Sequence, residues 1–191
     1  MGREVEWKYR CPAACFDAIR KAFSGWQTIT METAYFDTPD GALQKRRWML
    51  RSRLENGRAV TTMKIPLPDG TRGEWESLCP PEQVVEELCK LGAPMELKEI
   101  TERGLKETCA ARFVRLAAWV TLPQCSVELA LDQGSFLAGG REQPFSELEV
   151  ELKDGDEEKA QGFAQGLARQ YHLEPEEKSK AQRAMALRET K

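Results

Sequence analysis

The sequence predicts an α+β fold, an antiparallel meander of strands with a few helices packed outside it. Most of the chain alternates charged and apolar residues with period two, the spacing of side chains along a strand. Turn pairs Asn56-Gly57, Asp69-Gly70 and Gly139-Gly140 fall where hairpins need them. Three segments carry a helical stripe instead, and a length of 191 residues suits a single domain over 1–191.

The first helix follows Pro12, where Cys15, Ala18, Ile19, Ala22 and Phe23 share one face before Ser24-Gly25 stops the run. The second runs from Pro81 to Leu91. The third is the best patterned, with Ala160, Phe163, Ala164, Leu167, Ala168 and Tyr171 on a 3.6-residue stripe weakened slightly by Gly162 and Gly166. The stretch from Gly92 to Lys106 reads as a connector. No internal repeat or low-complexity tract interrupts the chain.

Composition narrows the function. Hydrophobic residues make up 41% and charged residues 31% of the chain, a globular balance. Lys and Arg number 28 against 31 Asp and Glu, so no global basic field holds nucleic acid, and any anion site must be local. No apolar run approaches the about 20 residues of a spanning helix, and the opening MGREVEWKYR lacks a signal peptide's apolar segment. The expected address is cytoplasmic, without membrane or nucleic-acid partners. Six cysteines form no Cys-x-x-Cys pair and there is one histidine, so zinc chemistry and Cys/His nucleophilic catalysis are poorly supplied.

The chemistry lies in the alternation. On the first strand Glu4, Glu6 and Lys8 take one face and Val5, Trp7 and Tyr9 the other. The split recurs in Arg51 and Arg53 against Leu50, Ser52 and Leu54. It continues in Thr62 and Lys64 against Met63 and Ile65, and in Arg72, Glu74 and Glu76 around Trp75. It returns in Glu128 and Asp132 against Leu129 and Leu131, and in Glu147, Glu149, Glu151 and Lys153 against Leu148, Val150 and Leu152. One such strand reads as a half-buried sheet with a wet face. A face made so consistently of Glu, Asp, Arg and Lys, sorted by strand into acidic and basic sets, calls for compensating ligands, because like charges side by side are destabilising. Carboxylate clusters suit hard cations such as magnesium or manganese, and Arg and Lys suit phosphate oxygens. A metal-bridged polyphosphate satisfies both, and phosphoryl transfer needs positioning and neutralised charge more than a covalent nucleophile.

The pattern EVEWK (Glu4, Glu6, Lys8) resembles the Glu-x-Glu-x-Lys signature that opens the CYTH superfamily, the triphosphate tunnel metalloenzymes. YFDTPDGAL, LRSR, TTMKIP, RGEWE, VELALDQG, ELEVELKDG and EKSKAQRAMAL follow in the family's order over nearly the whole chain. The resemblance departs in Trp7, where an aliphatic residue is expected, and in the stretch from Gly92 to Lys106.

This resemblance implies a closed eight-stranded antiparallel barrel, a tunnel with a charged interior and helices outside. It also implies hydrolysis of a triphosphate with Mg2+ or Mn2+. Carried over by position, Glu4, Glu6, Glu147 and Glu149 bind metal with help from Glu76, Glu128 and Asp132, and Glu147 and Glu149 serve the catalytic step. Lys8, Arg51, Arg53, Lys64, Arg115 and Lys180 grip phosphate. Arg72, Glu74, Glu151 and Lys153 are in phase with these sets. ARFVRLAAW resembles the family's Phe-x-Arg strand and favours Arg115 over Arg112, three residues away, which cannot share its face. His172 falls at a helix end, where a positive group is favourable without catalysis.

Inorganic tripolyphosphate is the leading substrate. Thiamine triphosphate, nucleoside triphosphates or a cyclase reaction on ATP remain open within the same family. A non-catalytic polyphosphate-binding module is the alternative from another class, and a solvated structural sheet is a third.

Overall fold

The computed structural model describes residues 5–67 and 72–189, with the side chains of Arg72 and Glu189 outside that description. The strands are β1 (Glu6–Arg10), β2 (Gln27–Asp37), β3 (Met49–Glu55), β4 (Arg58–Pro66), β5 (Arg72–Ser77), β6 (Lys106–Leu122), β7 (Cys125–Ala138), β8 (Arg141–Gly155) and β9 (Glu174–Pro175). The helices are α1 (Ala13–Ala22), α2 (Ala42–Lys45), α3 (Val84–Lys90), α4 (Glu96–Thr101), α5 (Glu157–Gln170) and α6 (Lys180–Glu189).

The strands form one antiparallel sheet in the order β5-β4-β3-β2-β6-β7-β8-β1-β9. The expected closed eight-stranded barrel is therefore wrong: the sheet has nine strands, and among the described residues β5 and β9 do not pair with each other. Closure requires both edges to meet with a consistent stagger. Here the β1 edge is met by β9, only two residues long and ending in Pro175, which has no N–H to extend a ladder.

Local chemistry explains the elements. Asn56 and Gly57 both have positive φ, at 49° and 82°, giving the tight turn that joins β3 to β4. Gly139 and Gly140, at 57° and 75°, do the same between β7 and β8. The Asp69-Gly70 turn lies outside the described residues. Asp37 begins α2 by accepting hydrogen bonds from the backbone N–H groups of Leu43 (2.9 Å) and Gln44 (3.1 Å). Asp156 caps α5 through the Lys159 N–H at 3.1 Å. The stretch from Gly92 to Lys106, expected as a connector, contains α4 and the first residue of β6.

Two apolar cores lie on the face opposite the charges. Tyr9, Leu129, Leu131, Leu148 and Val150 pack beneath Ile19 of α1 and Ala160, Ala164 and Leu167 of α5. Leu50, Met63 and Ile65 pack against Leu43, Leu88 and Leu97 of α2, α3 and α4. The third core lies on the charged face itself, where Phe113, Phe136, Met31 and Tyr35 receive Ala184 and Met185 of α6. So α6, unlike the other helices, covers the ionic side. It begins with a reciprocal capping box: the Gln182 N–H donates to Ser179 Oγ (3.2 Å) and the Ser179 N–H donates to Gln182 Oε1 (2.8 Å). Among the described residues no helix is long and apolar enough to cross a membrane.

Candidate active site

Register builds the site. Arg115 on β6 lies opposite Asp132 on β7, which lies opposite Glu147 on β8. One rung along, Ala130 lies opposite Glu149, and Glu149 lies opposite Lys8 on β1. Strand alternation aims these side chains to the same face, with α6 above them.

Asp132, Glu147 and Glu149 each offer an oxygen within 4.8 Å of the others, and Asp132 and Glu147 have no exposed surface. Three cations meet them. Arg115 forms a two-pronged pair with Asp132 (Nε to Oδ1, 2.8 Å; Nη2 to Oδ2, 2.7 Å) and reaches Glu149 at 2.5 Å. The Lys180 ammonium lies 2.7 Å from Asp132 and 2.8 Å from Glu149, and it also pairs with Glu147. Arg183, one turn along α6, pairs with Glu147 and lies 3.7 Å from Glu176, which also takes Arg10 at 3.0 Å. Aromatic faces line the helix side: Lys180 stands 5.2 Å above Phe113 and Arg183 stands 4.9 Å above Phe136.

Electrostatics distinguishes the two glutamates. Burial pushes the Glu147 carboxyl above its ordinary range against the pull of Lys180, and the Glu149 charge adds to the rise. Burial also works against ionised Glu149, but Lys180 and Arg115 outweigh it and hold that carboxyl well below the usual range. The Lys180 ammonium is desolvated, yet the three carboxylates hold its proton more firmly than usual.

The second half of the charged face lies on β3, β4 and β5. Burial first, then neighbouring Arg51, lowers Arg53 to about 10. Arg53 pairs with Glu55 at 3.0 Å. The Nε atoms of Arg51 and Arg53 are buried without a hydrogen-bond partner, an unusual condition that an anionic ligand would relieve. β2 lies between β3 and β6, with Thr33 opposite both Arg53 and Ala111, so the two halves belong to one continuous sheet.

Other candidates fall around this centre. Glu6 and Lys8 pair at 3.2 Å on β1, Lys64 and Glu74 at 3.2 Å, and Thr62 donates to Glu76 at 3.2 Å. Lys153 pairs with Glu151 (2.8 Å) and more loosely with Glu128 (3.7 Å), one rung beyond Glu149. Glu4 and the Arg72 side chain lie outside the described residues. Arg112 is exposed. Arg183, Glu176 and Arg10 are absent from the sequence-derived set. Arg183 becomes legible only once a helix is placed here, because a residue three places after Lys180 then shares its face.

The CYTH domain family model matches residues 2–185. An inorganic triphosphatase from Haemophilus influenzae is 29% identical over 167 residues, covering 84% of this chain and 47% of that protein. The chain thus spans about half the length of this curated relative. In fold, the chain resembles an adenylyl cyclase candidate from Hippeastrum described as having a dominant triphosphatase activity. The TM-score is 0.70, with 21% identity and coverage of 97% of this chain and 96% of that one. An adenylate cyclase candidate from Bacillus halodurans aligns with a TM-score of 0.66 and 22% identity over 96% of this chain and 98% of that one.

Proposed function

The chain belongs to the CYTH domain family, and on that premise we propose that it hydrolyses triphosphates with a divalent metal ion, inorganic tripolyphosphate being the favoured substrate. One observation carries the reading: a buried trio of carboxylates stands on the same face as arginines whose buried Nε atoms lack partners. A cation binder alone has no use for Arg51 and Arg53, and an anion binder alone has no use for Asp132, Glu147 and Glu149.

The carboxylates fit a hard cation, since the three donors are oxygens of ionisable groups set close together. Asp132, Glu147 and Glu149 would hold it, with Glu6 extending the acidic set along β1. When bound, Mg2+ or Mn2+ neutralises phosphate charge and polarises the bond to be broken. The protein's own groups do the rest. Arg51 and Arg53 bind phosphate oxygens from one side and Lys8 and Arg115 from the other, with Lys64 extending the basic set. This convergence holds the chain of phosphates in line for attack by water. Glu147, one of the two catalytic carboxylates expected from the sequence, would orient the attacking water.

Tripolyphosphate is favoured by the relative from Haemophilus influenzae, which is an inorganic triphosphatase. Phosphate release from tripolyphosphate, ATP and thiamine triphosphate, each with Mg2+, Mn2+ or chelator, tests the proposal. Metal-dependent turnover fastest on tripolyphosphate is expected. Binding of tripolyphosphate without turnover under every metal would replace the enzyme with a polyphosphate-binding module.

A further inference from the structure

Lys180 stands where the three carboxylates converge, with its ammonium 2.7 Å from Asp132, 2.8 Å from Glu149 and paired to Glu147. A hard divalent ion takes oxygen ligands at about 2.0–2.6 Å. An ion held by all three carboxylates would therefore occupy the space of that ammonium, and two cations at such a separation repel strongly inside a buried site.

Charge balance points the same way. Asp132, Glu147 and Glu149 carry three negative charges, and Arg115, Lys180 and Arg183 carry three positive ones, so the cluster is neutral as it stands. A divalent ion adds two positive charges to a neutral, buried set, and the arrangement is relieved only if helix cations leave or an anion arrives. Of the three cations, Arg115 is fixed on the central strand β6, whereas Lys180 and Arg183 both ride on α6.

We propose that Lys180 is a built-in cation that competes with the divalent metal for Asp132, Glu147 and Glu149, so that metal loading and release of the first turn of α6 are one event. The proposal rests on the metal-dependent reading above. It also accounts for Lys180, expected from the sequence to grip phosphate, standing instead among the carboxylates, since it cannot do both at once. Once displaced, Lys180 and Arg183 become donors for phosphate oxygens, and the metal and the phosphate grip are assembled together. Beyond the first turn, Ala184, Met185 and Leu187 of α6 pack in the Phe113 and Phe136 cluster and keep the rest of the helix docked, while the first turn contributes only Ala181 to that cluster.

The test uses the full chain with Mn2+ and no triphosphate. In wild type, Mn2+ should speed amide hydrogen exchange by several-fold in the first turn of α6, including the Arg183 N–H that donates to the Ser179 carbonyl at 3.0 Å. Calorimetry should find that Lys180→Gln binds Mn2+ about tenfold more tightly than wild type, because the competitor is gone. Exchange in α6 that is unchanged or slowed by Mn2+, or Mn2+ affinity in Lys180→Gln equal to or below wild type, overturns the proposal. If Lys180→Gln does not fold, the wild-type exchange experiment decides alone. Metal-dependent turnover with no Mn2+ response in α6 removes this inference and leaves the triphosphatase standing. A Mn2+ response in α6 without turnover on any triphosphate does the reverse.

Discussion

Asp132→Asn changes one atom type at a fully buried position and leaves the shape of the site intact. Asp132 accepts both prongs of Arg115, at 2.8 and 2.7 Å, and the Lys180 ammonium at 2.7 Å. Removing one partner of a buried ion pair typically costs about 3–5 kcal/mol, because the remaining charge stays desolvated. Arg115 and Lys180 each keep Glu149, which places the expected cost near the lower end, about 3 kcal/mol. For a domain of this size a loss of 1 kcal/mol lowers Tm by about 2–4 °C, so Tm should fall by about 6–12 °C. Urea denaturation monitored by circular dichroism should give the same loss at constant slope. Glu128→Gln is the internal control. Its Lys153 pair is partly exposed and 3.7 Å long, and its loss should cost less than about 1 kcal/mol. If Asp132→Asn is no worse than Glu128→Gln, the buried network does not hold the sheet and α6 as described.

Glu149 gives a pH-dependent signature. Lys180 and Arg115 outweigh burial and hold its folded pKa below the unfolded value of about 4.3, so the stability it contributes is present above that pH and is lost as pH falls toward the folded pKa. Glu149→Gln should therefore be less stable than wild type at neutral pH, with the gap narrowing on acidification below about pH 4; a gap that widens with acid would contradict the sign. Gly134→Ala should fail to accumulate as folded protein or lose several degrees in Tm. A Cβ there would stand 2.1 Å from the Arg112 carbonyl oxygen and 2.5 Å from Phe113 Cα, both backbone atoms; a normal melting curve would show that β6 and β7 can separate without cost.

Much of this architecture is legible in the sequence because strand periodicity is a local property. Glu147 and Glu149 are separated from Leu148 and Val150 by the pleat alone, and Asn56-Gly57 marks its hairpin by the positive φ it permits. α1, α3 and α5 were likewise readable from their stripes or stops. Whether the sheet closes is non-local, since it depends on how β5 and β9 end, and alternation carries no information about that. α6 was hidden for a different reason. Its packed side, Ala181, Ala184, Met185 and Leu187, is interrupted by basic residues that face carboxylates instead of water, so the pattern mimics a solvated segment. Ser179 followed by Gln182 was the available sign of its start. The charged face is also mixed along its length: Phe113 precedes Arg115 and Phe145 precedes Glu147 on the same side, and that change of character makes room for α6.

On the proposed reading, the carboxylate trio and the arginine face form one metal-triphosphate site. Anomalous diffraction from crystals grown with Mn2+ and a non-hydrolysable triphosphate tests it most directly. A manganese peak is expected among Asp132, Glu147 and Glu149, with phosphate density running to Arg51 and Arg53 on the same face. Manganese bound elsewhere, or a triphosphate seated on the opposite face against α1 and α5, would contradict it.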